Sequence, residues 1–351
     1  MHVTKKVAFV TWLALLSIQD CSADVLGPAE QAEVIRAAAD LIEARYVDAE
    51  AGKSIAARLR KSASHWQTAL DGAAFAEKAT QYMREVSRDG HLGLSYSAEP
   101  LADEAGEAEF NEAEMNRWYG PQVNHGVEKI ERLADNIMLL ELRVFPPPAM
   151  AGDVFAAAMT VVAQGDALII DLRQNGGGAD TINLLTGYLL EPGSPLSGSY
   201  TRPTHQRTYA TSPTWVPGRR FGSKKPVFVL ISHKTFSAAE ALAYDLQALA
   251  RATIVGEASG GGAHPFEYRR IHPHFAVDLP ESKSINPITN DNWQDVGVKP
   301  DVAVPAARAL DKALDLARAT LMQSAAQRTD EVSPSAKDTH RGKDFEFRSR
   351  D

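Results

Sequence analysis

The stretch Ala167-Leu168-Ile169-Ile170-Asp171-Leu172, leading into Asn175-Gly176-Gly177-Gly178, constrains this chain more than any other feature. It lacks the apolar–polar alternation of a half-exposed strand, so it predicts a strand covered on both faces. A glycine-rich turn follows it, and Asp180 to Leu190 then has the texture of a helix. The unit recurs: Val227 to Ile231 is apolar, a turn follows, and a helix is expected from about Ser237 to Leu249. Ile137 through Val144, stopped by Pro146-Pro147-Pro148, reads as an earlier strand, Val154 to Ala163 as a short helix, and Ala252 to Val255 as a later strand. Strands alternating with helices in this way predict a layered α/β core whose active loops lie at the carboxyl ends of the strands.

The remaining chain frames that core. With 351 residues, 44% of them hydrophobic, it can bury one large core or two modest ones. A formal net charge of −8 gives no general attraction to nucleic acid or to anionic lipid. Lys5 and Lys6 precede an apolar run from Val7 to Leu16, with Ser22 and Ala23 beyond it, which is the order of a secretory signal peptide over 1–23. That run is too short to span a bilayer, and no later segment has the uninterrupted apolar length to do so. The chain is therefore expected to be exported, to the periplasm or the medium. Cys21 is the single cysteine and sits beside the expected cleavage point, so a mature chain from Asp24 holds neither a disulfide nor a cysteine nucleophile. Acylation of Cys21 as a lipoprotein is the less fitting alternative, because Gln19 and Asp20 replace the small residues that such processing needs.

Val34, Ala38, Leu41, Ile42 and Tyr46 recur at helical spacing, as do Phe75, Ala79 and Met83. They predict a small helical domain over 24–95 that ends in the turn Ser87-Arg88-Asp89-Gly90 and delivers His91 to its junction with an α/β domain over 96–320. Gly193 to Gly222 is rich in Pro, Ser, Thr and Gly and carries Tyr200, Tyr209, Trp215 and Phe221, a composition read as one wall of a substrate groove. The polar segment 321–351 is expected to be a disordered tail.

Two loops are suited to chemistry. Ser237 joins an apolar strand to a helix, where its hydroxyl stands beside the free amides of a first helical turn. The same serine fits a simple capping box with Glu240 three residues on. Asn175 to Gly178 can turn backbone N–H groups toward a ligand or form a plain tight turn, and it matches neither a phosphate loop nor a dinucleotide fingerprint. Among ten histidines, His91 is the best placed general base, while His264 follows Gly260-Gly261-Gly262 in another open loop. His272 and His274 share a side of one strand without further ligands at metal-binding spacing, so no metal and no cofactor is expected.

Asp89-Gly90-His91, Asp171 through Gly178, Thr235 through Glu240, Val255-Gly256-Glu257 on to Gly262, and Asn292-Trp293 with Val296-Gly297-Val298-Lys299-Pro300-Asp301 stand in an order that resembles the S41 peptidases. These are the tail-specific or C-terminal-processing proteases, and the similarity is greatest to the branch with interphotoreceptor retinoid-binding protein and the tricorn core. The resemblance implies a crotonase-like fold with Ser237 as nucleophile and the amides of Ala238 and Gly177 as oxyanion hole. Many members pair the serine with a lysine near the position of Gly262, which is absent here, so the resemblance turns to the histidine-dependent branch and to His91 as base. That branch often orients its histidine with a glutamate where this chain has Gln294-Asp295, which leaves Asp295, and after it Glu281, as the candidate acid. Its serine immediately before the histidine is replaced by Gly90. The implied activity is serine-type hydrolysis of extended or unfolded polypeptide through an acyl-enzyme. A non-catalytic peptide or apolar-ligand binder on the same fold, or an esterase, are the alternatives.

Overall fold

The computed structural model describes residues 25–101 and 112–332. The expected signal peptide lies outside these residues. Pro28–Arg45 (α1), Ala49–Lys61 (α2) and Gly72–Ser87 (α3) are the amino-terminal helices. Pro28 opens α1 where its missing N–H costs nothing, and Asp48 and Asp71 cap α2 and α3 by accepting from amides of the first turn. Arg88 ends α3 in a left-handed conformation with φ 62°, and the chain turns at once into Asp89-Gly90-His91.

These helices do not make a core alone. Ile42, Leu59, Phe75, Ala79 and Met83 pack with Leu92, Leu94, Phe275, Val277 and Leu279 in one buried cluster. The last three come from a strand at Phe275–Pro280, which pairs antiparallel with Gly93–Tyr96 on one side and Phe266–His272 on the other. A late stretch of the chain thus returns to complete the helical unit. Glu281, only 1% exposed, fastens this return: its carboxylate accepts two bonds from Arg45 at 2.5 and 2.8 Å and two from Arg269 at 2.9 and 3.1 Å. Burial works to raise the Glu281 pKa, but the two guanidinium partners outweigh it and hold the carboxyl below its ordinary value.

After Glu112–Tyr119 (α4), the chain builds a six-stranded sheet. Its strands run, in spatial order, Val302–Ala303, Thr253–Gly256, Val227–Ile231, Ala167–Asp171, Ile137–Leu142 and Val127–Arg132. All neighbours are parallel except the last pair. Leu140, Ile170 and Val229 face Pro148–Val162 (α5), Thr181–Leu189 (α6) and Ala238–Ala248 (α7). Leu139, Ile169 and Leu230 face the opposite way, onto Ala309–Val332 (α8). Both faces are covered, as the uninterrupted apolar runs predict.

The expected tail needs correction over part of its length. α8 continues to Val332, so residues 321–332 are helical; the rest lies outside the described residues. The helix approaches the sheet through Ala309, Ala313 and Ala317, small residues four apart that bring its backbone close. Its final turns are rich in Ala, Leu, Met and Gln, good helix formers whose polar partners hid the helix from a hydropathy reading. Ala313 is fully buried, so Ala313→Leu should overpack this contact and lower unfolding free energy by about 1–3 kcal/mol, measured by urea denaturation.

Candidate functional site

Three loops leave the carboxyl ends of neighbouring parallel strands and are bonded to one another. Phe236 N donates to Asn175 O at 3.0 Å and Gly260 N to Thr235 O at 2.9 Å. The Thr235 hydroxyl donates to Leu172 O at 2.8 Å, and that of Ser232 to Arg173 O at 2.7 Å. Asn175, fully buried, reaches Leu142 O with its amide nitrogen and accepts from Gly177 N at 2.8 Å, which sets the glycine loop.

Ser237 stands where this platform enters α7, with φ 53° and ψ −121°. A residue with a Cβ adopts such a conformation only under constraint, and the constraint is visible. Glu240, fully buried one turn on, accepts from Ser237 N at 2.8 Å and Gly262 N at 2.8 Å through Oε2. Its Oε1 accepts from the Ser259 hydroxyl at 2.6 Å and Gly261 N at 2.7 Å. Burial raises the Glu240 pKa above the usual carboxylate value against the pull of these four donors. On the other side Gly177 presses on the serine: a Cβ there would lie 2.7 Å from Ser237 Cβ. Only glycine fits this approach, and Gly177 also has φ 105°.

His91 enters from the amino-terminal unit. It is 7% exposed and its ring stacks on Phe236, with centroids 4.6 Å apart and planes at 34°. His91 and Ser237 line one cavity of about 310 Å³, together with Gly178, Ala238, Gly262 and Trp293. Burial pushes the imidazole pKa down to about 4, more than the nearby Asp89 raises it.

Phe236 accounts for two places where the chain departs from the resemblance. A Cβ on Gly90 would sit 2.8 Å from the Phe236 ring, and one on Gly262 would sit 2.2 Å from it and 2.8 Å from His91 Cε1. The serine expected before the histidine and the lysine expected near residue 262 are both displaced by this ring. Phe236 falls within the stretch Thr235 through Glu240, but only the assembled loops reveal its place under His91.

The candidate acids are distributed differently from the sequence expectation. Glu281 is committed to Arg45 and Arg269. Asp295, in a left-handed conformation, accepts from the Gln294 side chain at 2.9 Å while its amide donates to Gly261 O. The carboxylate that faces His91 is Asp89, two residues earlier, with Oδ1 3.9 Å from Nδ1. Asp89 is 1% exposed and accepts from Tyr46 Oη at 2.8 Å, from the His91 amide at 2.9 Å and across 2.8 Å from His264 Nδ1. Burial would raise the Asp89 pKa, but the His264 bond and its companions carry it below the ordinary value. The oxyanion candidates also shift. The Gly177 amide is taken by Asn175, whereas Gly178 and Ala238 both line the cavity. No cluster of metal-ligating side chains occurs among the described residues.

The scaffold is thus a mostly parallel α/β sheet carrying a strained serine elbow over a cleft that a second unit closes with a histidine. Residues 137–304 match the model of peptidase family S41, so this segment is similar to that family. The match includes Ser237 and the glycine loop and ends short of His91. Solved structures of similar fold include a lipoprotein from Streptococcus agalactiae, 16% identical with a TM-score of 0.57 over 82% of this chain and 96% of that one. The tricorn protease is another, 12% identical with a TM-score of 0.52 over 84% of this chain and 37% of its own.

If the Phe236 ring displaces the missing side chains, Gly90→Ser should cost about 1–3 kcal/mol of stability in the native background. It should cost less by at least about 0.5 kcal/mol when Phe236 is alanine, a coupling read from a double-mutant cycle in urea.

Proposed function

We propose that this chain is an exported serine-type peptidase that hydrolyses peptide bonds in extended polypeptide, on a scaffold of the crotonase-like kind with an amino-terminal helical domain. The observation that carries the reading is the shared cavity of Ser237 and His91, which is also lined by Ala238 at the start of α7 and by Gly178 of the glycine loop. An imidazole that is neutral at physiological pH accepts the Ser237 proton as the hydroxyl attacks a substrate carbonyl. The amides of Ala238 and Gly178 hold the oxyanion, aided by the positive end of α7. The proton then passes to the departing amine, and water releases the acyl group.

Asp89 serves the imidazolium that forms in between. At 3.9 Å from Nδ1 it stands outside hydrogen-bond reach in the unliganded cleft, and catalytic contacts of this kind close when substrate binds. Its other donors keep it ionised and fixed. The segment 193–222 supports a groove for extended substrate, since Gly198, Ser199, Thr208 and Ala210 line the same cavity. Gly198–Thr201 is paired on both sides, with Ser282–Ile285 and with Gln206–Arg207, which gives this wall of the groove a fixed backbone. Among the described residues no helix is long and apolar enough to cross a membrane.

A fluorophosphonate should label the purified chain, and both Ser237→Ala and His91→Ala should reduce labelling by about 10³-fold or more. Undiminished labelling of Ser237→Ala removes the nucleophile, and an unlabelled native chain leaves a binding protein on this scaffold. The pH profile carries the sign of the His91 shift. A base with its pKa depressed to about 4 is unprotonated, and active, above that value. The labelling rate should therefore stay level through neutral pH and fall about tenfold per unit below the depressed pKa, with folding checked by circular dichroism. An inflection near the ordinary histidine value would contradict a buried base.

A further inference from the structure

The cavity beside Ser237 has an acidic floor that the hydrolytic machinery does not use. Ser237, Ala241 and Asp245 are four residues apart along α7, so they share one face of the helix, and all three line the cavity. At the helical rise, Asp245 stands about 12 Å down the axis from the serine. The residue between them is alanine, which leaves the path open. Asp245 is 6% exposed, and the exposed part belongs to this cavity.

The carboxylate is held from one side. Oδ1 accepts from the Ser197 hydroxyl at 2.5 Å, from Asn286 Nδ2 at 2.9 Å and from Ser197 N at 3.1 Å. Oδ2 has a single long contact, the shared Ser197 amide at 3.2 Å. A carboxylate has about four acceptor sites, so Oδ2 retains capacity for an incoming donor. Asp180, at the amino end of α6, adds a second carboxylate to the wall, and no lysine or arginine is among the lining residues. A site lined by two carboxylates and no lysine or arginine, with one of the carboxylates about two helical turns from the serine, is complementary to a long cationic side chain. The aliphatic stem of such a side chain would lie along Ala241 and Trp293, which line the same passage.

We propose that this cavity is the specificity pocket of the enzyme and that it takes a lysine or arginine on the acyl side of the scissile bond, with Asp245 as its specificity-determining residue. The inference rests on the peptidase reading above and names its substrate class. A short apolar residue would leave Asp245 buried without a counterion, whereas an ammonium or guanidinium completes its hydrogen bonds.

The test separates the pocket from the chemistry. Peptides that differ only at the cleaved position should give the native enzyme a kcat/KM for Arg or Lys about 10²-fold above that for Leu or Ala. Asp245→Asn, which keeps an acceptor for Ser197, should bring that ratio close to one, and Asp180→Asn at the exposed rim should lower it by a smaller factor. Independently of turnover, benzamidine should bind the Ser237→Ala chain in calorimetry and bind about tenfold or more weakly once Asp245→Asn is added. No preference for basic residues in a chain that cleaves and is labelled by fluorophosphonate would overturn the pocket, as would no benzamidine binding. Benzamidine binding in a chain that fluorophosphonate does not label would uphold the pocket and overturn the peptidase reading instead.

Discussion

The site depends on one buried carboxylate. Glu240 gathers the amide of Ser237, the amides of Gly261 and Gly262, and the Ser259 hydroxyl around two oxygens. A carboxylate removed from water carries a desolvation cost of several kcal/mol, and only a nearly complete set of donors offsets it. That demand works in both directions. It brings the loop after Thr253–Gly256 against the start of α7, and it pins the serine amide so that Ser237 keeps an unfavourable φ. The cap box is present, and its acid both accepts the Ser237 amide at the start of α7 and ties in the loop at Ser259–Gly262.

Phe236 shows how a side chain inside a motif can reshape positions far from it in the chain. Its ring supplies a bed for His91, and the space it takes is recovered by two glycines, at positions 90 and 262. A lysine at 262 and a serine at 90 are incompatible with that ring. The chain therefore holds its histidine by stacking and burial where hydrogen-bonding neighbours were expected. Burial also lowers the imidazole pKa, so the same packing that positions the ring keeps it unprotonated.

The sheet was legible because fully covered parallel strands leave uninterrupted apolar runs, as in Ala167–Asp171 and Val227–Ile231. The meeting of His91 with Ser237 around one cavity was legible from a family resemblance and from the turn that follows α3. What escaped depends on directions that a linear pattern does not hold. Glu281 looked available because one of its two arginine partners, Arg45, lies 236 residues away. The Gly177 amide looked free because nothing in the sequence says that Asn175 folds back onto it. Asp89 was read as part of a turn, and its burial beside His91, Tyr46 and His264 shows only in the assembled fold. Residues 321–332 were read as tail because their polar residues hide the helix that continues through them.

The strand Phe275–Pro280 gives the molecule an order of assembly. The helices that present His91 are made first, yet their core stays open until Phe275, Val277 and Leu279 arrive from far downstream. A chain still emerging from the ribosome holds Ser237 before it has a closed seat for its histidine. The two halves of the cleft therefore mature together and late, after Pro280 has been added. In this design the seat of His91 is complete only once Phe275, Val277 and Leu279 have joined the helices.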